Sequence, residues 1–314
     1  MKKICIVASG GDAPGMNACV KSVYVHAKKM GFQVWGAKNG YDGLIGKEPV
    51  LLEDSMLHYV SGLSGCFLGC GRSAAFRTPE GTQAVADTLM RMGFSALVVL
   101  AGNGSTRGAT RLWQTTGFPV IVIPATIDND VPFSKHSLGF SSAIEECIRH
   151  IDNLKGTMHA KGRDHIVQLM GWGSTAIADT VGQAAFADII DTVENRHTPE
   201  QIVAKFAELQ SKGSRSNLMI MQERVDPNRK TADVINETIE AARFLQQIHK
   251  IAGCEDIRMT TLGHLQRGAP PSCRDRWLAF HYGKLAVDCV KKSKGGVAIT
   301  LAGGKFRVVN LEEQ

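Results

Sequence analysis

Pro124-Ala125-Thr126-Ile127-Asp128-Asn129-Asp130 is the stretch on which the reading of this chain turns. It follows the apolar run Val120-Ile121-Val122-Ile123 and breaks it into small and polar residues carrying two acids, two positions apart. A second stretch is built the same way: Leu97-Val98-Val99-Leu100 runs into Ala101-Gly102-Asn103-Gly104-Ser105. Short apolar runs of this kind have the look of buried strands, and in parallel sheets ligands bind where loops leave the carboxyl ends of strands. Two carboxylates in such a loop are costly unless they stay solvated or do chemistry. Asp128 is suited to take a proton from an attacking hydroxyl, and Asp130 to bind Mg2+ directly or through water. Backbone amides, a base and a metal-holding acid are the parts of a phosphoryl-transfer site. An acid at position 103 would complete the metal site, and the residue there is the amide Asn103.

Outward from these loops, strands and helices alternate. The pattern predicts strands at about 4–8, 33–37, 97–101, 120–123, 165–170, 188–193, 217–221, 257–262 and 297–301. It predicts helices over about 16–30, 106–113, 142–158, 175–185, from a Thr198-Pro199-Glu200 cap, over 231–251 with Thr231 as cap, and over 274–290. Such alternation argues for an α/β fold, parallel sheets covered by helices. No linker or low-complexity tract divides the chain; Phe133–Gly139, polar and glycine-containing, is the best single candidate for a boundary.

The 314 residues suffice for two domains with ample core. A net charge of +6 without a basic run, and 6% aromatic residues, speak against nucleic acid and fit a protein that handles small phosphorylated anions. The eight cysteines form no CxxC pair and read as reduced thiols of a cytoplasmic protein. The apolar stretch after Met1-Lys2-Lys3 is too short for a signal peptide, and no segment reaches the roughly 20 apolar residues of a membrane span.

Ser9-Gly10-Gly11-Asp12-Ala13-Pro14-Gly15-Met16-Asn17 joins the first strand to the first helix. Consecutive glycines before a helix N-terminus let backbone N–H groups approach a phosphate. It is neither a Walker A loop nor GxGxxG; a tight structural turn and a phosphate cradle both fit it, as they both fit the loop at 101–105.

The series continues with Gly40-Tyr41-Asp42-Gly43-Leu44, Phe67-Leu68-Gly69-Cys70-Gly71-Arg72, Met170-Gly171, Glu223, Leu262-Gly263-His264-Leu265-Gln266-Arg267-Gly268 and Asp275-Arg276. In this order, along most of the chain, it resembles the 6-phosphofructokinase family. The resemblance implies two Rossmann-like domains with mainly parallel sheets: a nucleotide-binding domain of 1–139 plus about 268–303, and a sugar-phosphate domain of 140–267 plus about 304–314. It implies ATP-dependent phosphorylation of the 1-hydroxyl of fructose 6-phosphate, with Mg2+ as cofactor. Gly11, Tyr41, Arg72, Gly102, Asn103, Gly104 and Ser105 match positions at the nucleotide. Thr126 and Asp128 match the sugar's 1-hydroxyl site, with Asp128 the base and Arg72 acting on the transferring group. Asp130 matches a magnesium-linked acid, with Asn103 a weak second donor. Met170, Gly171, Glu223, His264 and Arg267 match sugar-phosphate contacts. Arg163 and Arg258 match arginines donated across a subunit interface, which implies a homo-oligomer, usually a tetramer.

The family divides by phosphate donor. Gly104 and Ala125 stand where pyrophosphate users resemble an Asp and a Lys, which favours ATP. Two departures stand out. Asn103 replaces the loop aspartate linked to Mg2+, so a slower step is expected. Trp172 replaces the arginine that usually follows Met-Gly, and an indole cannot replace a guanidinium at an anion. These motivate two alternatives: a catalytically weakened regulatory or binding paralogue, and a kinase for another ketose phosphate. The effector pocket of bacterial relatives is only partly kept: Lys21 and Lys155 resemble substitutes for arginines, Val25 stands where another arginine is usual, and Asp188 stands near the usual glutamate.

Overall fold

The computed structural model describes residues 1–224 and 234–313. The chain divides into two compact units, Met1–Ser142 with Arg267–Gln314, and Ala143–Gln266.

The first unit contains β1 (Lys3–Ser9), α1 (Met16–Lys29), β2 (Gln33–Gly36), β3 (Val50–Leu51), α2 (Asp54–Leu57), α3 (Pro79–Arg91), β4 (Ala96–Ala101), α4 (Asn103–Thr116), β5 (Val120–Thr126) and β6 (Leu138–Gly139). The helix α5 (Phe140–Lys161) leads out of it into the second unit. That unit holds β7 (His165–Leu169), α6 (Ala176–Ala184), β8 (Ile189–Asp191), α7 (Pro199–Ser211), β9 (Leu218–Gln222), α8 (Val234–Ala252) and β10 (Arg258–Thr261). The chain returns to the first unit with α9 (Cys273–Lys291), β11 (Val297–Ala302) and β12 (Lys305–Asn310).

The large sheet has the order β12-β11-β5-β4-β1-β2-β3, with β6 paired to β5; only the β2–β3 and β11–β12 pairs at its two edges are antiparallel. The smaller sheet, β10-β7-β9-β8, is parallel throughout. The α/β class expected from the alternation is the class observed. Its central strands carry the reason. β4 and β5 are buried along their whole length, and so are β7 and β9. Strands covered on both faces read as unbroken apolar runs, which is how they stand in the sequence.

Local chemistry sets the helix starts. In α7, Thr198 Oγ1 accepts from Gln201 N while Gln201 Oε1 accepts from Thr198 N, with Pro199 in the first turn. Thr78-Pro79 starts α3 in the same manner, Thr78 Oγ1 accepting from Gly81 N at 3.1 Å. The sequence expectations omit β3, α2, α3, β6 and β12. They also place about 304–314 with the second domain, whereas β12 pairs with β11 from Val297↔Asn310 to Ala302↔Lys305 as the edge of the large sheet. Thr231, the expected cap of α8, lies outside the described residues.

Candidate active site

In the first unit three loops leave neighbouring strands side by side. Ser9 is in register with Ala101, and Ala101 with Pro124. Because β1 has β2 on one flank and β4 on the other, these loops open at the point where the strand order reverses, the usual ligand crevice of such sheets.

The first loop turns on Gly10, whose φ of 102° suits glycine and whose N–H donates to Gly71 O at 3.1 Å. That bond and the Ser9–Gly71 bridge bring the following Arg72, which is exposed, beside the loop. Asn17, inside α1, holds the segment before it, donating to Leu63 O and Ser64 O and accepting from Phe67 N at 2.8 Å. Arg267 lies over Gly11. A Cβ at Gly11 would sit 2.6 Å from Arg267 Nη1, and the same nitrogen donates to Asp12 O at 3.0 Å.

The second loop is already helical. The expectation of a helix from 106 is corrected by three residues: α4 begins at Asn103, with Gly102 as an extended N-cap. Asn103, Gly104 and Ser105 therefore form a first turn, where backbone N–H groups have no intrahelical partner and the helix dipole is positive. Gly104 faces space: a Cβ there would meet no described atom within 4 Å. Ser105 Oγ donates to Ser9 Oγ at 3.0 Å, tying the first two loops together.

In the third loop Thr126 Oγ1 accepts from Asp128 N at 3.2 Å and lies 3.5 Å from Asp128 Oδ2. Burial pushes the Asp128 carboxyl above its ordinary value; the Arg267 charge opposes that, the Asp130 charge adds to it, and Thr126 and Arg72 oppose it. Asn129, left-handed at φ 49°, accepts from Ser137 N at 2.9 Å and donates to Lys135 O, closing the loop behind the exposed Asp130. Asp275, fully buried, accepts from Gly139 N at 3.0 Å and Ser142 N at 2.8 Å, so this motif residue is structural.

Tyr41, expected at the nucleotide, lies in the core of the first unit. It is 1% exposed, stacked on Phe76 at 3.6 Å within the core, and its hydroxyl has no partner among the described residues. It buttresses Phe76, over which Arg111 lies at 5.3 Å. Ala125 is buried in β5.

In the second unit Met170 and Gly171 follow β7, Glu223 follows β9, and His264 is exposed in the turn after β10. All lie at the carboxyl end of the small sheet, where Leu169 pairs with Gln222. Glu223 is buried, and its Oε1 accepts from Gly171 N at 3.1 Å and Trp172 N at 2.6 Å. Trp172 itself is left-handed, φ 49°, and 40% exposed. Arg163 and Arg258 sit at the other end of the same strands: Arg163 precedes β7, and Arg258 opens β10 opposite His165. Four residue steps along β7, about 13 Å, separate the two ends. Arg163 there faces Asp256 Oδ1 at 3.4 Å. Of the expected effector residues, Lys21 donates to His58 O at 2.9 Å, Lys155 to Ala185 O at 2.7 Å, and Asp188 accepts from Leu218 N at 2.8 Å.

Sequence reasoning missed Asp191, Arg196, Gln222 and Arg224, a polar cluster at the ends of β8 and β9. No cluster of three or more His, Cys, Asp or Glu that could hold a metal occurs among the described residues. The donors around the third loop, two carboxylates and the Asn103 amide, are nevertheless hard oxygen ligands. They suit a Mg2+ held by a few protein oxygens, water and substrate phosphates.

Glycine-lined loops and a helix N-terminus at the switch point of a parallel sheet, with a half-buried carboxylate among them, define a phosphate-handling α/β protein. The chain belongs to the phosphofructokinase family, whose model matches residues 3–290. It is 33% identical over 299 residues to the ATP-dependent 6-phosphofructokinase of Streptococcus sanguinis SK36, covering 95% of this chain and 85% of that one. It is 34% identical over 306 residues to the protein of the same description from Streptococcus pneumoniae Hungary19A-6, covering 98% and 87%. Among solved structures, Saccharomyces cerevisiae phosphofructokinase matches with a TM-score of 0.85 at 28% identity, over 100% of this chain and 45% of that one. Pichia pastoris phosphofructokinase in the T-state matches at 0.86 and 27% identity, over 99% and 35%. The chain thus spans less than half the length of either yeast chain. A pyrophosphate-dependent phosphofructokinase from Marinobacter aquaeolei shares the fold, with a TM-score of 0.86 at 19% identity, over 100% of this chain and 83% of that one.

Proposed function

We propose that this chain is an ATP-dependent 6-phosphofructokinase, a cytoplasmic kinase of glycolysis that transfers the γ-phosphoryl group of ATP to the 1-hydroxyl of fructose 6-phosphate. The observation that carries this reading is the convergence of three loops on one crevice, with Asp128 half-buried among them.

The reading assigns roles as follows. Asp128 takes the proton of the 1-hydroxyl as that oxygen attacks phosphorus. Thr126, bonded to Asp128 N, holds the acid in line. Gly11, the N-cap Gly102 and the first turn of α4, Asn103 to Ser105, meet the nucleotide phosphates through backbone N–H groups, and the space at Gly104 leaves room for them. Arg72 neutralises charge on the transferring group. When bound, Mg2+ near Asp130 and Asn103 would neutralise phosphate charge; Asn103 offers a weaker donor than an acid. Met170, Gly171, Glu223, His264 and Arg267 meet the sugar phosphate. Arg163 and Arg258, at the far end of the small sheet, serve the site of a neighbouring subunit, which makes the enzyme a homo-oligomer, a tetramer on the family pattern. An effector pocket would have to draw Lys21 and Lys155 off the backbone carbonyls they now bond. No helix among the described residues is long and apolar enough to cross a membrane.

A coupled assay with ATP, Mg2+ and fructose 6-phosphate tests the reading: turnover is expected in the wild type and lost in Asp128→Ala. Absence of wild-type turnover would sink it. A second reading, the weakened paralogue, is favoured by Asn103 in the first turn of α4, and Asn103→Asp decides it by raising turnover or leaving it unchanged.

A further inference from the structure

The polar cluster between β8 and β9 does more than neutralise charge. Asp191, the last residue of β8, is 0% exposed. Its carboxylate accepts from Arg196 Nη1 at 2.9 Å, from Arg224 Nη2 at 3.0 and 3.1 Å, and from His197 N at 2.6 Å. A buried carboxylate is retained only when so paired. A simple ion pair would end there, but Arg196 reaches further. Its Nη1 also donates to Gln222 O at 2.9 Å and its Nη2 to Glu223 O at 3.0 Å, the carbonyls at which β9 leaves the sheet.

From that point the two side chains of β9's end take hold of the turn after β7. Glu223 Oε1 accepts from Gly171 N and Trp172 N. Gln222 Nε2 donates to Trp172 O at 2.6 Å and Ser174 O at 3.1 Å, while its Oε1 accepts from Val193 N at 2.8 Å. Trp172 is therefore gripped at both its N–H and its C=O. A left-handed backbone at a bulky residue persists only where the surroundings over-determine it, as they do here.

We infer that Asp191, acting through the Arg196 fork, is a positioning residue for the Glu223 carboxylate and for the Gly171–Trp172 backbone that Glu223 holds. The inference rests on the kinase reading above, since it gives those groups their work on the sugar phosphate. None of Asp191, Arg196 and Gln222 needs to touch substrate. The fork matters as much as the charge: one guanidinium joins a carboxylate and two carbonyls in a fixed plane, which an ammonium cannot do.

The test is steady-state kinetics of Arg196→Lys beside wild type, with thermal melting and with Arg196→Met as a second variant. Arg196→Lys keeps the charge against Asp191 and is expected to melt near wild type. Its KM for fructose 6-phosphate should rise by roughly tenfold, while kcat and the KM for ATP stay within about twofold. Arg196→Met should move the same KM at least as far. A wild-type KM for fructose 6-phosphate in Arg196→Lys overturns the assignment, as do variants whose two KM values rise together in step with lost stability. A wild type that turns over no sugar phosphate overturns the kinase reading and this assignment with it, whereas an active wild type with an indifferent Arg196→Lys overturns this assignment alone.

Discussion

The loops of the first unit and the turn after β7 in the second are both held in place, but by different materials. Around Ser9, Gly102 and Asp128 the contacts are backbone bonds, small side chains and a helix start. Around Trp172 they are buried side chains, a glutamate and a glutamine clamped in turn by an arginine and an aspartate. Backbone N–H groups recognise phosphate whatever the side chain, so the first kind of site depends on what glycine leaves out. The second kind depends on charges that must remain paired, so it fails when one partner is removed.

The largest expected effect lies in the first unit. Asp128→Ala should lower turnover by roughly 10²–10⁴-fold, the usual share of a general base, with little change in melting temperature. A stability loss as large as the activity loss would erase the contrast between the two regions. Next comes Asp191→Ala in the second unit, which strands two arginines. We expect a loss of about 3 kcal/mol in denaturant unfolding, the low end for a broken buried pair because both arginines keep some contact with water. Third, Asn103→Asp should change kcat by less than about tenfold if the chain is the active kinase; a rise of about tenfold or more, from a metal-binding charge where the helix N-terminus already favours an anion, would favour the weakened paralogue instead.

The smallest effect is on the pH profile. As the base of the proposed reaction Asp128 would have to be ionised to accept a proton, and burial raises its folded-state value. The acid limb of kcat/KM should therefore lie above the ordinary aspartate value of 3.8. Activity is full above that limb and lost as pH falls through it. Arg267 opposes the shift, so Arg267→Gln should move the limb further toward neutral pH. A limb that moves the other way would show that Arg267 does not act on Asp128.

The same contrast explains what could be read in advance. β4 and β5 are buried on both faces, so their sequences are plain apolar runs, and the loops that follow declare themselves by composition. The loops that hold Asn103 and Asp128 were legible for that reason. The start of α4 was not, because glycine and asparagine disguise a helical first turn. Thr78-Pro79-Glu80 carries the same cap signal as Thr198-Pro199-Glu200, and α3 could have been found from it. Tyr41 shows the limit of a motif, which specifies a residue but not its exposure. Asp191 and Arg224 are 33 positions apart and meet only because β8 and β9 lie side by side; no local pattern announces such a pair.

The placement of Arg163 and Arg258 at the end of the small sheet away from Glu223 and Met170 has a consequence for genetics. If each chain lends these arginines to a neighbour, a chain damaged at Arg163 and a chain damaged at Asp128 are each silent alone but carry their defects in different composite sites. Co-expressed, they would assemble some sites with both parts intact, and two null alleles would restore one another's growth.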